Sequence, residues 1–424
     1  LRACGCHPGR GAFIYSLFSA GCKKFDDIEC FLVFYLTLPY KIQGMDFIRL
    51  LNLEALIAQK SFFLFGARST GKTTLIRNQL SDHCTVIDLL ETDIFLRLSQ
   101  DPGYLEKIVT AGGSRITVID EVQKLPRLLD EVHRLIEKRA GTFLLTGSSA
   151  RRLKRENANM LGGRAWEARL FPLVSKELPD FDLDRFLQIG GLPHVQTSSN
   201  PVEELRAYAS LYLREEIMAE GIVRDLPRFS RLLKTAALCN AQQVNFTKLA
   251  SDVGCAPSTA IEHFRILEDT LIGFFVEPWR IGNRRKEVSR PKFYLFDTGV
   301  ANTLSGTQTL PRNSDLYGRA LEQFVAMELR AYISYKRLGS ELCFWATHDG
   351  TEVDFVVPDQ LAVEVKATSQ VNDRDLRGLR ALEREKDIPN LMLVTLDPIA
   401  ATHGRIRAIP VHTFLDELWD GRLI

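Results

Sequence analysis

This chain of 424 residues has almost no excess of charge of either sign: 54 lysines and arginines stand against 53 aspartates and glutamates, a net charge of +1. No global field therefore draws it to nucleic acid, and any such binding must come from local patches. Long apolar runs are also missing. Phe31–Leu38 is far shorter than the roughly 20 apolar residues a membrane-spanning helix needs, and no basic, apolar and small-residue succession marks a signal peptide. Cysteines at C-x-x-C spacing are absent too, so Cys4, Cys6, Cys22 and Cys30, even with His7, lack the pairing of a zinc site. Cys84, Cys239, Cys255 and Cys343 are scattered singly, as free thiols in a reducing cytosol would be. A cytoplasmic protein with no membrane partner is the expectation. The remaining composition, 25% charged and 45% hydrophobic, is ordinary for a soluble globular chain.

What is present is more specific. The apolar run Ser61–Phe65 feeds Gly66, Ala67, Arg68, Ser69, Thr70, Gly71, Lys72, Thr73 and Thr74, which fit the pattern G-x-x-x-x-G-K-[ST]. A buried strand entering a glycine-rich turn and leaving as a helix points backbone N–H groups, and the positive helix end, at a phosphate chain. In that setting Lys72 reaches the terminal phosphates and the Thr73 hydroxyl holds magnesium. A second β-branched run ends in Asp120 and Glu121. Ligands sit at the carboxyl ends of parallel strands, which puts Asp120 beside the phosphate loop as a second magnesium ligand. Glu121 is then placed to polarise the water that attacks the γ-phosphate. A third run ends in Thr146-Gly147-Ser148-Ser149, where Ser148 can hydrogen-bond the γ-phosphate or that water. Arg152 and Arg164 follow it, as arginine fingers supplied in trans or as a solvated basic face; a finger in trans presupposes a homo-oligomer.

Apolar strands near 61–65, 84–88, 116–120 and 142–146, with helical spacing between them, predict a doubly wound α/β core over 45–175. A helical lid is expected over 176–230. Within 231–290, Asn245–Glu268 reads as a helix-turn-helix pivoting on Gly254, and Leu271–Trp279 as the strand of a wing. Ser258, Thr259, His263 and Arg265, with Arg284, Arg285 and Lys286, would face DNA, while Glu262, Glu268 and Asp269 oppose it. Winged helices also dock proteins. Residues 1–44 are expected to be an over-extended start or a disordered leader before Met45.

The last third, 291–424, carries a second constellation. A helix bearing Glu322 precedes two short strands holding Asp354, Glu364 and Lys366, the last two on one face of their strand. Two carboxylates and a lysine at a hairpin end can bind magnesium and activate water for phosphodiester cleavage; an ion-pair network on a sheet face is the other reading. The order D-x(n)-E-x-K behind a Glu322 helix resembles the restriction-endonuclease-like core. Taken with the phosphate loop, Ile119–Pro126, Leu145–Ser149, Gly163–Ala165, Leu170–Leu173, the winged helix and Phe293–Ala301, the whole order resembles prokaryotic AAA-type ATPases with a C-terminal domain of unknown function. That resemblance, over residues 45–424, implies ATP and Mg2+ as cofactors, phosphate binding by Gly71, Lys72 and Thr73, and ATP hydrolysis. Three outputs stay open: DNA handling with cleavage, a nucleotide-gated regulatory module on a silent nuclease scaffold, and protein remodelling.

Overall fold

The computed structural model describes residues 47–80, 83–148, 153, 161–212, 226–280 and 290–424. The expected leader, Arg152 and the triplet 284–286 lie outside the described residues. Strands β1 (Ser61–Phe65), β2 (Cys84–Asp88), β3 (Ile116–Asp120) and β4 (Thr142–Gly147) coincide with the four apolar runs. A fifth, β5 (Ala165–Arg169), escaped the sequence reading because it is an edge strand with a partly exposed, mixed side-chain pattern. The sheet order is β2-β3-β4-β1-β5 and every pairing is parallel. Phe62, Leu64, Val118 and Leu144 form its core with Leu75 and Ile76 of the helix Lys72–Leu80. Burial on both faces is why these strands read as continuous apolar runs.

Residues 176–212 do not form one separate lid. Phe186 of the helix Leu183–Ile189 packs edge-on against Phe324 at 5.0 Å, and Phe181 stacks on the same ring at 5.7 Å. Leu192, Val195, Leu205 and Tyr208 instead join the core beneath the helix-turn-helix, together with Ala67 of the phosphate loop. Their short apolar helices are amphipathic towards two different cores, and helical spacing alone does not say which. In the helix-turn-helix, Asn245 caps Phe246–Val253 by accepting from Lys248 N at 3.2 Å, and Gly254 turns the chain at φ 73°. The helix Pro257–Asp269 buries Phe264, Ile266 and Leu267, while Ile261 stays half-buried.

Strands β6 (Gln242–Gln243), β7 (Gly273–Pro278) and β8 (Lys292–Leu295) accompany those helices. They do not end there. β7 runs parallel to β9 (Cys343–Ala346), joining β10 (Glu352–Val357), β11 (Leu361–Lys366), β12 (Asn390–Thr395), β13 (Ala401–His403) and β14 (Ile406–Pro410). The result is one mixed nine-stranded sheet, β13-β14-β12-β11-β10-β9-β7-β8-β6. The expected boundary at 290/291 therefore falls between β7 and β8, which are antiparallel partners with Phe274 opposite Tyr294. The long helix Asp315–Tyr335 crosses this sheet, with Phe324, Val325 and Leu329 fully buried.

Glu328 on that helix is 1% exposed and accepts from Ser175 N at 2.7 Å, Ser175 Oγ at 3.1 Å and Trp419 Nε1 at 2.6 Å. Burial pushes its carboxyl up to about 7 despite those donors. Asp297, which caps the helix Thr298–Ser305, is likewise raised by burial to about 6. A raised carboxyl means the folded chain keeps protons the unfolded chain has already released, so stability falls as pH rises from the ordinary carboxyl range through 7. Thermal melts between pH 5 and 8.5 should show the melting temperature declining with pH in that window. Glu328→Gln should flatten the decline, and an unchanged slope in that variant would refute the assignment.

Candidate functional site

At the carboxyl edge of the parallel sheet, β1 ends at Phe65 and the turn 66–71 folds back over it. Gly66 has no room for a side chain: a Cβ would sit 2.7 Å from Leu170 O and 2.9 Å from Thr70 Oγ1. Gly71 adopts φ 92° and Ser69 φ 65°, the left-handed conformations that a tight phosphate-cradling turn uses. Lys72, 8% exposed, donates to Gly66 O at 2.7 Å, so its ammonium lies within the loop it belongs to.

Next to this turn stand the ends of β3 and β4. Thr73 Oγ1 donates to Asp120 Oδ2 at 3.2 Å, and Thr146 Oγ1 donates to the other oxygen, Oδ1. β3 ends at Asp120, and Glu121 turns left-handed at φ 60° and ψ 42° with its N–H held by Thr146 Oγ1 at 3.2 Å. A non-glycine residue in that region costs roughly 1–2 kcal/mol. The strain is matched by what the turn achieves: the Glu121 carboxylate accepts from Gln123 Nε2, which also reaches Ser148 Oγ at 3.3 Å. Gln123 is buried and packs against Gly147, where a Cβ would meet its Oε1 at 2.6 Å. Glu121 and Ser148 are thus brought together by a side chain the sequence reading did not single out. A polar residue two positions past the acidic pair was its only trace.

Arg49 is a second omission. Its side chain is 6% exposed and donates to Thr70 O at 2.7 Å, Phe171 O at 2.7 Å, Glu177 Oε2 at 2.9 Å and Tyr335 Oη at 3.5 Å. One guanidinium thereby ties the phosphate loop to the last turn of the helix that spans the nine-stranded sheet. Tyr208 adds a further contact, donating to Arg68 O at 3.1 Å. Arg164 lies elsewhere. It precedes β5, whose first residue pairs with Ser61, so it sits at the opposite end of a five-residue strand, about 16 Å from the loop. It forms an ion pair with Glu137, and it can reach a phosphate loop only on another copy.

In the helix-turn-helix, Ser258 and Arg265 are exposed, but His263 is half-buried with its ring edge-on to Phe229 at 5.2 Å. The expected DNA-facing set is accordingly narrower than the sequence suggested.

The second constellation also assembles. Asp354 and Glu364 are the next positions along the antiparallel register that sets Phe355 opposite Val363, and Glu322 faces them from its helix. Lys366 pairs with Glu364 at 2.6 Å. Between the carboxylates stands a residue the sequence reading passed over, Lys292 of β8, 2.9 Å from Glu322 Oε1 and 3.1 Å from Asp354 Oδ1, and also paired with Glu352. Burial opposes its charge, yet Glu322, Asp354 and Glu352 hold it well above the ordinary lysine range. Burial and the Asp354 charge push Glu364 up to about 8. Among the described residues, no group of three or more His, Cys, Asp or Glu side chains is arranged to hold a metal ion. Of the expected ligand set, Glu322 and Asp354 meet the Lys292 ammonium, while Glu364 pairs with Lys366. Among the described residues, no helix is long and apolar enough to cross a membrane.

Comparison with known proteins matches this layout. Residues 58–178 fit a family model described as an AAA domain, 180–310 one described as a domain of unknown function (DUF8612), and 317–414 another (DUF4143). An uncharacterized protein of Mycobacterium tuberculosis is 26% identical over 319 residues, 72% of this chain and 70% of its own length. One from Methanocaldococcus jannaschii is 21% identical over 380 residues, covering 80% of this chain and 83% of itself. A third, from Haemophilus influenzae, is 22% identical over 290 residues, 63% of this chain and 70% of itself. The chain carries an AAA domain, which points to ATP as its ligand, followed by two further domains of unknown task.

Proposed function

We propose that the protein binds and hydrolyses ATP with magnesium and passes its nucleotide state to the winged helix and the C-terminal sheet. The observation that carries this reading is the 3.2 Å contact between Thr73 Oγ1 and Asp120 Oδ2 beside the buried Lys72. A hydroxyl and a carboxylate suit magnesium, which prefers oxygen ligands and keeps several waters. When bound with the nucleotide, the ion would neutralise charge on the β- and γ-phosphates. The protein's own groups do the rest. The turn 66–71 and Lys72 bind the phosphate chain, Glu121 accepts hydrogen-bonding from the attacking water, and Ser148 and Gln123 orient that water and the carboxylate. An arginine finger, Arg164 or Arg152, would come from a neighbouring copy in a homo-oligomer.

Arg49 is the link through which nucleotide state travels, because a phosphate loop that shifts on binding must carry Thr70 O, and with it the guanidinium bonded to Tyr335 and Glu177. The output is DNA binding by the winged helix through Ser258, Arg265 and the basic segment 284–286. A specific observation, Lys292 among the carboxylates, favours a regulatory module on a nuclease-like scaffold over one that cleaves. The test is ATP turnover with Mg2+, with and without duplex DNA, on wild type and Arg49→Ala. Wild type should hydrolyse ATP faster with DNA present. Arg49→Ala should keep the basal reaction within a few-fold and lose the stimulation. No turnover at all would refute the ATPase reading, and turnover indifferent to DNA would refute the coupling to it.

A further inference from the structure

The C-terminal cluster has the make-up of a cation site that already contains a cation. Four carboxyl groups, Glu322, Glu352, Asp354 and Glu364, face two ammonium groups, Lys292 and Lys366, so oxygen donors outnumber the cations they surround. Their oxygens are largely committed. Glu322 Oε1 also accepts from Tyr294 Oη at 2.7 Å, Glu352 Oε2 from Gln243 Nε2 at 3.2 Å, and Asp354 Oδ2 from Val365 N at 2.9 Å. One is not. Glu364 is 6% exposed, and its Oε2 is buried with no hydrogen-bond partner although its Oε1 is paired with Lys366. A buried orphan carboxylate oxygen is costly, and beside other carboxylates it is a ready ligand for a cation.

Lys292 fills the centre. Its side chain is 4% exposed, and its three ammonium protons match three carboxylate partners. The Phe344 ring lies 5.5 Å from the same nitrogen. Its backbone is held on both flanks, pairing with Val276 of β7 on one side and Gln243 of β6 on the other, so the stem of the side chain starts from a fixed point. β7 in turn is bonded to β9. A divalent ion entering here would have to shed part of its water shell and displace a desolvated ammonium from three charge-assisted bonds.

We propose that Lys292 is a tethered cation standing where a divalent metal would bind, and that removing its ammonium creates a Mn2+- or Mg2+-binding site from Glu322, Asp354 and Glu364. The wild-type C-terminal domain is then a metal-free scaffold whose carboxylates are met by a lysine from β8, separated from β10 by β7 and β9, so that its ion pairs with Glu352 and Asp354 link the two parts of the sheet. The inference does not depend on the ATPase reading, and nucleotide-free protein tests it.

The experiment is Mn2+ binding by the full chain at pH 7.5, followed by the loss of the free-ion paramagnetic resonance signal. Wild type and Asp354→Asn should bind the same amount. Lys292→Met should bind one further ion per chain, and the double variant Lys292→Met/Asp354→Asn should lose it again. Mn2+ should also raise the melting temperature of Lys292→Met and leave that of wild type unchanged. Deleting the ammonium leaves buried carboxylates without their counter-charge, which is strongly destabilising; Lys292→Gln, which keeps a donor, serves if Lys292→Met does not fold. Two results overturn the proposal: a wild-type Mn2+ site that Asp354→Asn removes, or a folded Lys292 variant that gains none. The first of these needs no Lys292 variant at all.

Discussion

Lys72→Ala should weaken ATP binding at least roughly 100-fold. Of the two cationic residues in the turn 66–73, Arg68 is exposed and Lys72 is buried, at 8% exposure, with its ammonium 2.7 Å from Gly66 O. On nucleotide binding it would exchange that carbonyl for phosphate oxygens. Hydrogen bonds to a charged group contribute about 1.5–3 kcal/mol each. Losing two such bonds, at about 1.4 kcal/mol per tenfold, gives the stated weakening. Titration calorimetry with ATP and Mg2+ measures it directly. Because the helix Lys72–Leu80 keeps its buried Leu75, Ile76 and Leu80, the variant should melt close to wild type. Wild-type affinity in Lys72→Ala would show that the turn is not the nucleotide site.

Glu121→Gln should have the complementary effect, leaving ATP affinity within a few-fold and slowing hydrolysis by roughly 100- to 1,000-fold, the range for losing a positioned general base. In the proposed site its carboxylate would not be a phosphate or magnesium ligand. That role would fall to Asp120, tied to Thr73, while Glu121 turns off the strand end onto Gln123, which also reaches Ser148. A glutamine there can still hydrogen-bond Gln123 but cannot take a proton from water. Single-turnover hydrolysis beside equilibrium binding separates the two outcomes. Equal turnover in the variant would move the water-activating role to another residue.

Local chemistry made much of this readable from the linear chain. A parallel strand buried on both faces has to be an unbroken apolar run, and a turn that cradles phosphate has to be glycine-rich, so Ser61–Phe65, Gly66–Thr73 and Ile116–Asp120 announced themselves by composition and order. The same holds for Gly254 between two amphipathic helices, since a left-handed turn there needs a residue without a Cβ. Edge strand β5 carried no such mark, because one exposed flank removes the need for an apolar run.

Contacts between residues far apart in the chain were another matter. Arg49 meets Tyr335 across 286 positions, and Lys292 meets Asp354 across 62. No periodicity links such partners, because each pair is fixed by how whole sheets and helices dock, not by backbone preference within either segment. The strand, turn and helix of the proposed phosphate site could thus be placed from the sequence, but the joining of β7 and β8 with the C-terminal strands in one sheet could not. Nor could the ammonium at the heart of the carboxylate cluster, since a lone lysine in a four-residue strand looks like any solvated lysine until folding buries it among opposite charges.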